Sequence, residues 1–305
     1  MKNRSIQYRA EYIFVKVILR FIKILPKSFL HPVGTGLGLF VYYLRIRRQV
    51  VIKNLTVAFG SEYNKKQLHS LAKDVFKNVA CVFVEFLYMS FIPPEKITDF
   101  ADIEGLEILE EAKKEDKGVV LASGHFGNWE LMSAVLCASG YPFYVYAGQQ
   151  KNQLVDDIIN GIRTRFGQIT ISKSKTAPFE MLRALKAKNI LGMAGDLNVP
   201  HDNLFVDFFS KKAAVGQGLA TYALRCQTPL IFIWNVRTGP LKYSIHIERL
   251  EYQTTGNSKK DVQDVTQMYI GALEDRIRMY PDRYLWLNRR WKTRPADDKS
   301  ENLYG

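Results

Sequence analysis

From about residue 100 onward, short apolar runs alternate with segments of helical periodicity, and that alternation leaves few folds open. Strands are expected at 118–123, 142–147, 168–171, 189–194, 204–208, 230–236 and 242–248, and helices at 128–138, 151–165, 176–187, 213–226 and 262–279. Strands separated by helical stretches of about 10–15 residues imply crossover connections and a parallel sheet. The segment 242–248 alternates strictly, Lys242, Ser244, His246 and Glu248 against Tyr243, Ile245 and Ile247. With 230–236 it is expected to form an antiparallel edge. The expected class is α/β: a mainly parallel sheet flanked by helices, preceded by an N-terminal helical membrane-associating region.

One stretch carries chemistry. The run Val119–Ala122 stops at Ser123-Gly124, and His125, Phe126, Gly127 and Asn128 follow before a second apolar run from Trp129. His125 is thus expected on a tight turn between the carboxyl end of a strand and the start of a helix, where open α/β sheets place ligands. Gly127 permits the bend and Asn128 can cap the helix. Glu130 lies five residues past His125. On one continuous helix the two side chains would stand about 140° apart. They meet only if His125 precedes the helix and Glu130 sits in its first turn. Such a pair makes a general base with a carboxylate that holds one ring nitrogen. A first-turn acid also arises from the helix dipole alone, so the spacing leaves both readings open.

The N-terminal third is built differently. In residues 8–25, Lys16, Arg20 and Lys23 mark one helical stripe, Ile13, Phe14, Val17, Ile18, Phe21 and Leu25 cover the rest, and Pro26 ends the segment. A basic stripe beside an apolar face suits a helix lying in a membrane interface. Residues 28–44 hold no charged side chain, but they contain Pro32, Gly34, Gly36 and Gly38. Seventeen residues is at the short limit for a span, and a hydrophobic hairpin or re-entrant insertion fits equally. Arg45, Arg47 and Arg48 follow, as headgroup-level anchors would. Residues 45–92 look helical throughout, with Leu71, Val75, Val79, Val82, Phe83, Phe86 and Leu87 forming the apolar stripe. Glu85 falls inside it and is expected to be a partly exposed charge at its edge. Pro93-Pro94 closes the region. The organisation expected is therefore 1–44 membrane-associating, 45–294 a catalytic unit (helical 45–92, α/β core 100–294), and 295–305 a frayed tail.

Charge narrows the partners. The 305 residues carry a net charge of +13, and residues 1–60 hold eleven Lys/Arg against one acid, Glu11. Arg283, Arg289, Arg290, Lys292 and Arg294 form a second basic knot. An anionic partner follows: membrane surface, acidic carrier or nucleic acid. No aromatic spacing along a basic groove is legible, which argues against nucleic acid. Cys81, Cys137 and Cys226 are scattered and odd in number, so they are expected to be reduced core residues of a cytosol-facing protein. The opening residues show no small-residue cleavage site of a secretory leader. His31, His69, His201 and His246 have no paired spacing, and no metal, P-loop or nucleophile-elbow motif is present.

The string Gly124-His125-Phe126-Gly127-Asn128-Trp129-Glu130 resembles the His-x4-acid motif of the bacterial lipid A late acyltransferases, within the lysophospholipid acyltransferase superfamily. Further segments in the same order extend the resemblance from about residue 45 to residue 294. Arg47-Arg48 with Asn54-Leu55 matches near the start. Arg163-Thr-Arg165-Phe-Gly167 is similar to an Arg-x-x-x-Gly segment at the family's active site; either arginine fits, and Arg163 has the closer spacing. Asp196 matches the first residue of the family's Asp-Gln, with Leu197 and Asn198 following. Val206-Asp207-Phe208-Phe209-Ser210 resembles a Phe-Phe-Gly segment, with Ser210 in place of Gly. Pro281 to Lys292 is close to the C-terminal Pro-x-x-Tyr-x-Trp-x-His-Arg-Arg signature, with Asn288 in place of His.

The resemblance implies an O-acyltransferase that moves a fatty acyl group from acyl-carrier protein or acyl-CoA to a hydroxyl of a glycolipid, a lipid A precursor foremost. It implies His125 and Glu130 as the catalytic pair, and Arg163, Arg165, Asp196, Asn128, Phe208 and Phe209 around the substrates, the two phenylalanines lining an acyl groove or packing in the core. A thioester is already activated, so neither metal nor cofactor is expected. The expected place is the cytoplasmic face of the inner membrane, peripheral or monotopic. The departures at 197, 198 and 288 keep other lipid acceptors open: a phosphatidylinositol mannoside, a lysophospholipid or an aminolipid. A non-catalytic protein binding anionic lipid through its basic ends is the reading from a different class.

Overall fold

The computed structural model describes residues 2–298 and 302–304, with side chains from residue 6 onward. Four helices come first: α1 (Lys2–Ile24), α2 (Lys27–Tyr43), α3 (Arg48–Phe59) and α4 (Lys65–Tyr88). The remainder is β1 (Ala101–Glu104), α5 (Leu106–Lys114), β2 (Val119–Ser123), α6 (Trp129–Ala138), β3 (Phe143–Ala147), α7 (Gln153–Thr164), β4 (Ile169–Ser172), α8 (Ala177–Lys186), β5 (Ile190–Ala194), β6 (Asn203–Phe208), β7 (Lys211–Gly216), α9 (Gly218–Cys226), β8 (Leu230–Gly239), β9 (Lys242–Arg249) and α10 (Ser258–Met279). The α/β class is as expected.

Seven strands form one sheet in the order β1-β9-β8-β2-β5-β3-β4. Every pairing is parallel except β8 with β9. The β8–β9 hairpin is not the edge, because β1 pairs outside β9. Strand β2 lies between β5 and β8, and its side chains alternate between two cores. Val120 and Ala122 face α8, α9, α10 and the C-terminal segment; Val119 and Leu121 face α6 and its neighbours. Burial on both faces explains why this strand reads as a continuous apolar run.

Two local expectations change. Residues 204–208 do not join the main sheet but pair antiparallel with β7 in a two-stranded ribbon. The helix expected from 213 begins at Gly218, because Ala213, Ala214 and Val215 are buried as a strand of that ribbon. Short aliphatic residues fit either period, and tertiary packing decides between them.

The uncharged segment 28–44 forms one helix, neither hairpin nor re-entrant loop. Its glycines face α4: a Cβ on Gly34 would lie 2.8 Å from Cys81 Cα, and one on Gly38 only 2.4 Å from the Phe76 carbonyl oxygen. Gly34 and Gly38 are therefore the close-approach surface of a helix pair. Among the described residues no helix is long and apolar enough to cross a membrane. Even so, α1 and α2 leave large apolar side chains in solvent, among them Ile13, Phe14, Val17, Phe21, Phe29, Leu37 and Phe40. On α1 the edge of the apolar face, Ile18 and Ile22, packs on the core, together with Leu25 just past its end.

The tail expected to fray returns to the body. Tyr304 Oη donates to Asn54 Oδ1, and the Trp291 N–H donates to Tyr304 Oη at 3.1 Å. Part of that tail, 299–301 and Gly305, lies outside the described residues, as do the side chains of Lys2 and Arg4 from the N-terminal basic count. Asn54 is fully buried and donates to the carbonyls of Trp286 (2.7 Å) and Asn288 (2.6 Å), tying α3 to the C-terminal segment. This long-range clamp joins the two segments that carry the motifs near residues 47–55 and 281–292.

Gly38→Val should force α2 off α4 and lower unfolding free energy by about 1–3 kcal/mol, the usual cost of overpacking. Urea denaturation followed by tryptophan fluorescence reads this directly; an unchanged midpoint would show that the α2–α4 contact is dispensable.

Candidate active site

Strands β2 and β5 are parallel neighbours, with Ser123 opposite Ala194. Two residues past that pair, on each strand, stand His125 and Asp196. Adjacent strands are about 4.8 Å apart, so the register alone brings the two side chains together. Nδ1 of His125 lies 2.8 Å from Asp196 Oδ1, and the His125 N–H donates to Asp196 Oδ2 at 3.2 Å. The carboxylate that orients the imidazole is therefore Asp196, not Glu130.

Glu130 has another partner. Its two oxygens accept from Arg163 Nε at 3.0 Å and from Nη2 at 2.5 Å, a bidentate pair across the first turn of α6 and the last turn of α7. The reason is geometric. Asn128 begins α6 and turns Glu130 toward α7, whereas His125 lies before the turn and faces β5. Both groups remain close enough for their charges to act on the imidazole.

The turn itself is tightly specified. Gly127 has φ +62°, and a Cβ there would come within 2.3 Å of the Asn235 carbonyl oxygen. The C-terminal segment closes over the turn: Gly127 N–H donates to the Arg283 carbonyl, and Leu285 N–H to the His125 carbonyl, each at 2.9 Å. Asn128 is fully buried, and its side-chain oxygen accepts the Leu131 N–H at 3.0 Å as a helix cap. Its amide donates to Glu85 at 2.9 Å. Asn128 thus positions the helix and has no surface for substrate.

Glu85 is buried, contrary to expectation. It pairs with Arg237 and accepts from Tyr243 Oη at 2.5 Å. A stripe drawn on one helix could not reveal a cation arriving from β8. Burial, with the Glu85 charge, pushes the Tyr243 phenol well above its ordinary range, so it donates as a neutral hydroxyl.

The other expected residues separate. Arg163 belongs to the site; Arg165 donates to the Ile92 carbonyl at 3.1 Å and lines a cavity beside α1 instead. Phe208 and Phe209 are buried in the core against Tyr284, Trp286, Trp291 and Phe59, so they form no open acyl groove. Three residues behind Asp196 carried no assigned role. Tyr269, Tyr284 and Arg290 are buried there, and Arg290 Nη1 donates to the Ala214 carbonyl at 2.9 Å. Burial and the Asp196 charge push both phenols well above the tyrosine range. The aromatic and basic letters of residues 284–290 were legible, but their inward direction was not.

Electrostatics decide the protonation states. Burial alone would raise the Asp196 carboxyl, but the charge and hydrogen bonds of His125, with Arg290 behind, hold it below the usual range. Burial alone would lower the His125 imidazole; Asp196, with help from Glu130 and against Arg163, lifts it above its ordinary value. Nδ1 is committed to Asp196, so Nε2 remains for chemistry. The His125 side chain keeps 23 % of its surface exposed while Asp196 has none, so a substrate reaches the imidazole and not the carboxylate. The ring stands edge-on to Trp129 at 5.2 Å. Among the described residues no group of acids, histidines or cysteines is placed to hold a metal ion.

The sequence profile of the bacterial lipid A biosynthesis acyltransferases matches residues 1–293. The chain belongs to that family. It is similar to the lipid A biosynthesis palmitoleoyltransferase of Escherichia coli K12, 25% identical over 281 residues that cover 90% of this chain and 89% of that protein. The E. coli K12 lipid A biosynthesis lauroyltransferase is 24% identical over 285 residues, covering 91% and 90%. A lipid A biosynthesis acyltransferase of Haemophilus influenzae is 24% identical over the full length of both chains. The chain is thus a member of an O-acyltransferase family along nearly its whole length.

Asp196→Asn removes the charge that lifts His125 while leaving the burial that lowers it. The ascending limb of the kcat/KM–pH profile, which reports deprotonation of the base in the free enzyme, should begin above the ordinary histidine pKa in the wild type and move to lower pH in the variant. A limb that stays in place would show that another group titrates.

Proposed function

We propose that this chain transfers a fatty acyl group from an acyl thioester, carried by acyl-carrier protein or coenzyme A, to a hydroxyl of a lipid A precursor, with His125 as general base. The single observation that carries the reading is the His125–Asp196 hydrogen bond, which engages Nδ1 and leaves Nε2 uncommitted on a partly exposed ring. Nε2 removes the acceptor hydroxyl proton as the oxygen attacks the thioester carbonyl. The tetrahedral intermediate expels the thiolate, and the imidazolium returns the proton to sulfur. Asp196 stabilises the imidazolium through that cycle.

The negative charge that develops on the carbonyl oxygen needs donors. Arg163 is the candidate, because Glu130 holds its Nε and Nη2 and leaves Nη1 over. Glu130 then serves the reaction by aiming a guanidinium. The neighbouring carboxylate also offsets the cost of keeping that cation half-buried. A thioester donor requires no enzyme nucleophile, in keeping with a histidine whose ring partner is a carboxylate and, among the described residues, no serine or cysteine.

The named relatives transfer palmitoleoyl and lauroyl groups at nearly equal identity to this chain, so the length of the acyl chain is not part of the proposal. The exposed apolar faces of α1 and α2, beside Lys16, Arg20 and Lys23, support docking on an anionic leaflet at the cytoplasmic face of the inner membrane. There the enzyme would meet a soluble donor and a membrane-bound acceptor together.

His125→Ala should lower transfer to a lipid A precursor by roughly 10²–10⁴, the usual worth of general-base help, with an unchanged circular dichroism melt. Turnover at the wild-type rate would remove the assigned base. Separately, Phe14→Glu/Val17→Glu/Phe21→Glu should abolish co-sedimentation with phosphatidylglycerol vesicles; retention on those vesicles would place the anchor outside α1.

A further inference from the structure

At the carboxyl edge of the sheet a cavity of about 570 Å³ is lined by Arg45, Arg47, Arg289 and Lys292 together with Asn198 and the first turn of α3. No acid lines it. None of these four cations forms an ion pair among the described residues, although Arg163, Arg237, Arg249, Arg276 and Arg278 all do. Four like charges converging without a counter-ion repel one another, and an anion bound among them reverses the sign of that energy.

The cavity is built rather than incidental. Arg45 and Arg47 adopt left-handed backbone conformations, φ +63° and +58°. That conformation costs a non-glycine residue roughly 1–2 kcal/mol, and it sets both residues at the start of α3. The first turn of α3 contains no acid and has no side-chain cap. Gln49 and Val50 also line the cavity, and their backbone N–H groups have no hydrogen-bond partner among the described residues. Free N–H groups at the positive end of a helix dipole bind anions. On the opposite wall, Arg289 lies over the Tyr304 ring, and its Nε is buried without a partner. That wall is fixed by Asn54 on the carbonyls of Trp286 and Asn288, and by Asn198 and Thr293, which exchange two hydrogen bonds of 3.0 and 2.9 Å.

The cavity is also placed next to the chemistry. Asn198 is two residues past Asp196, and two residues of chain reach at most about 7 Å. That wall of the cavity is thus close along the chain to the carboxylate that holds His125.

We propose that this cleft binds a phosphate monoester of the acyl acceptor and so sets which hydroxyl of the sugar meets His125. The proposal rests on the acyltransferase reading above. A monoester carries up to two negative charges, and arginine forks match its oxygens bidentately. The alternative source of phosphate is the thioester donor: a single-charge phosphodiester in the arm of an acyl-carrier protein, or the diphosphate and 3′-phosphate monoester of coenzyme A, which the acyl-CoA KM below tells apart from the acceptor.

The test uses the full chain in detergent micelles, acyl-CoA as donor, and one glycolipid acceptor prepared with and without its phosphate monoester. The wild type should show a KM for the phosphorylated acceptor lower by roughly tenfold or more, the effect of about 1.4 kcal/mol. Arg47→Asn, which keeps a residue tolerant of the left-handed conformation, and Arg289→Gln/Lys292→Gln should each erase most of that preference. A preference absent from the wild type, or retained by both variants, overturns the proposal. A rise confined to the acyl-CoA KM overturns it too, by assigning the cleft to the donor. If the wild type acylates neither acceptor, the acyltransferase reading fails by itself. The cleft is then judged by binding of the two glycolipids, read by tryptophan fluorescence. Phosphate-dependent binding that the variants lose supports the cleft, and equal binding of both glycolipids overturns it.

Discussion

A carboxylate sealed from water holds an imidazole that is not, and the rest of the molecule is arranged so that this contact exists. Asp196 is fully buried, yet it is held ionised. An isolated buried carboxylate would take up a proton rather than carry its charge. Here the charge is compensated by the imidazole in front and by Arg290 behind, with Tyr269 and Tyr284 filling the remaining space. The register of β2 on β5 puts the two ends level, and a shift of either strand would separate them.

Two further buried or half-buried carboxylates do related work on α6. Glu85 meets Arg237, Tyr243 and Asn128 beneath the helix start, and Glu130 meets Arg163 above it. Breaking one member of such a network strands a charge in low dielectric, which costs more than the intact network contributes to stability. The network therefore fixes geometry more than it adds free energy. The entry of α6, and with it the direction of Glu130, follows from contacts made by residues more than 40 and 100 positions away, Glu85 and Asn235.

The two ends of the chain have opposite tasks. Helices α1 and α2 leave apolar side chains in solvent, whereas the C-terminal segment is among the most buried parts of the molecule, with Trp286, Arg290 and Trp291 all enclosed. Asn54 of α3 holds the C-terminal segment by donating to the carbonyls of residues 286 and 288, and Tyr304 donates to the same asparagine. The basic knot at residues 283–294 thereby divides. Arg290 turns inward to the carboxylate, while Arg289 and Lys292 turn to the rim of the cationic cavity.

Local pattern determined a good deal. The continuous apolar run at Val119–Ala122 announced a strand, the glycine and asparagine around His125 announced a strand–turn–helix, and the ordered motifs announced the family. These depend on neighbours within a few residues, which sequence records directly. Which acid holds His125 was decided only in three dimensions. Glu130 is five residues away along the chain, and Asp196 is 71; a parallel β2–β5 pairing brings the distant one level with the ring. The same holds for the burial of Glu85, the β7 strand at residues 211–216, and the docking of residues 302–304. Each depends on a partner arriving from elsewhere in the fold, and neither periodicity nor spacing encodes that arrival.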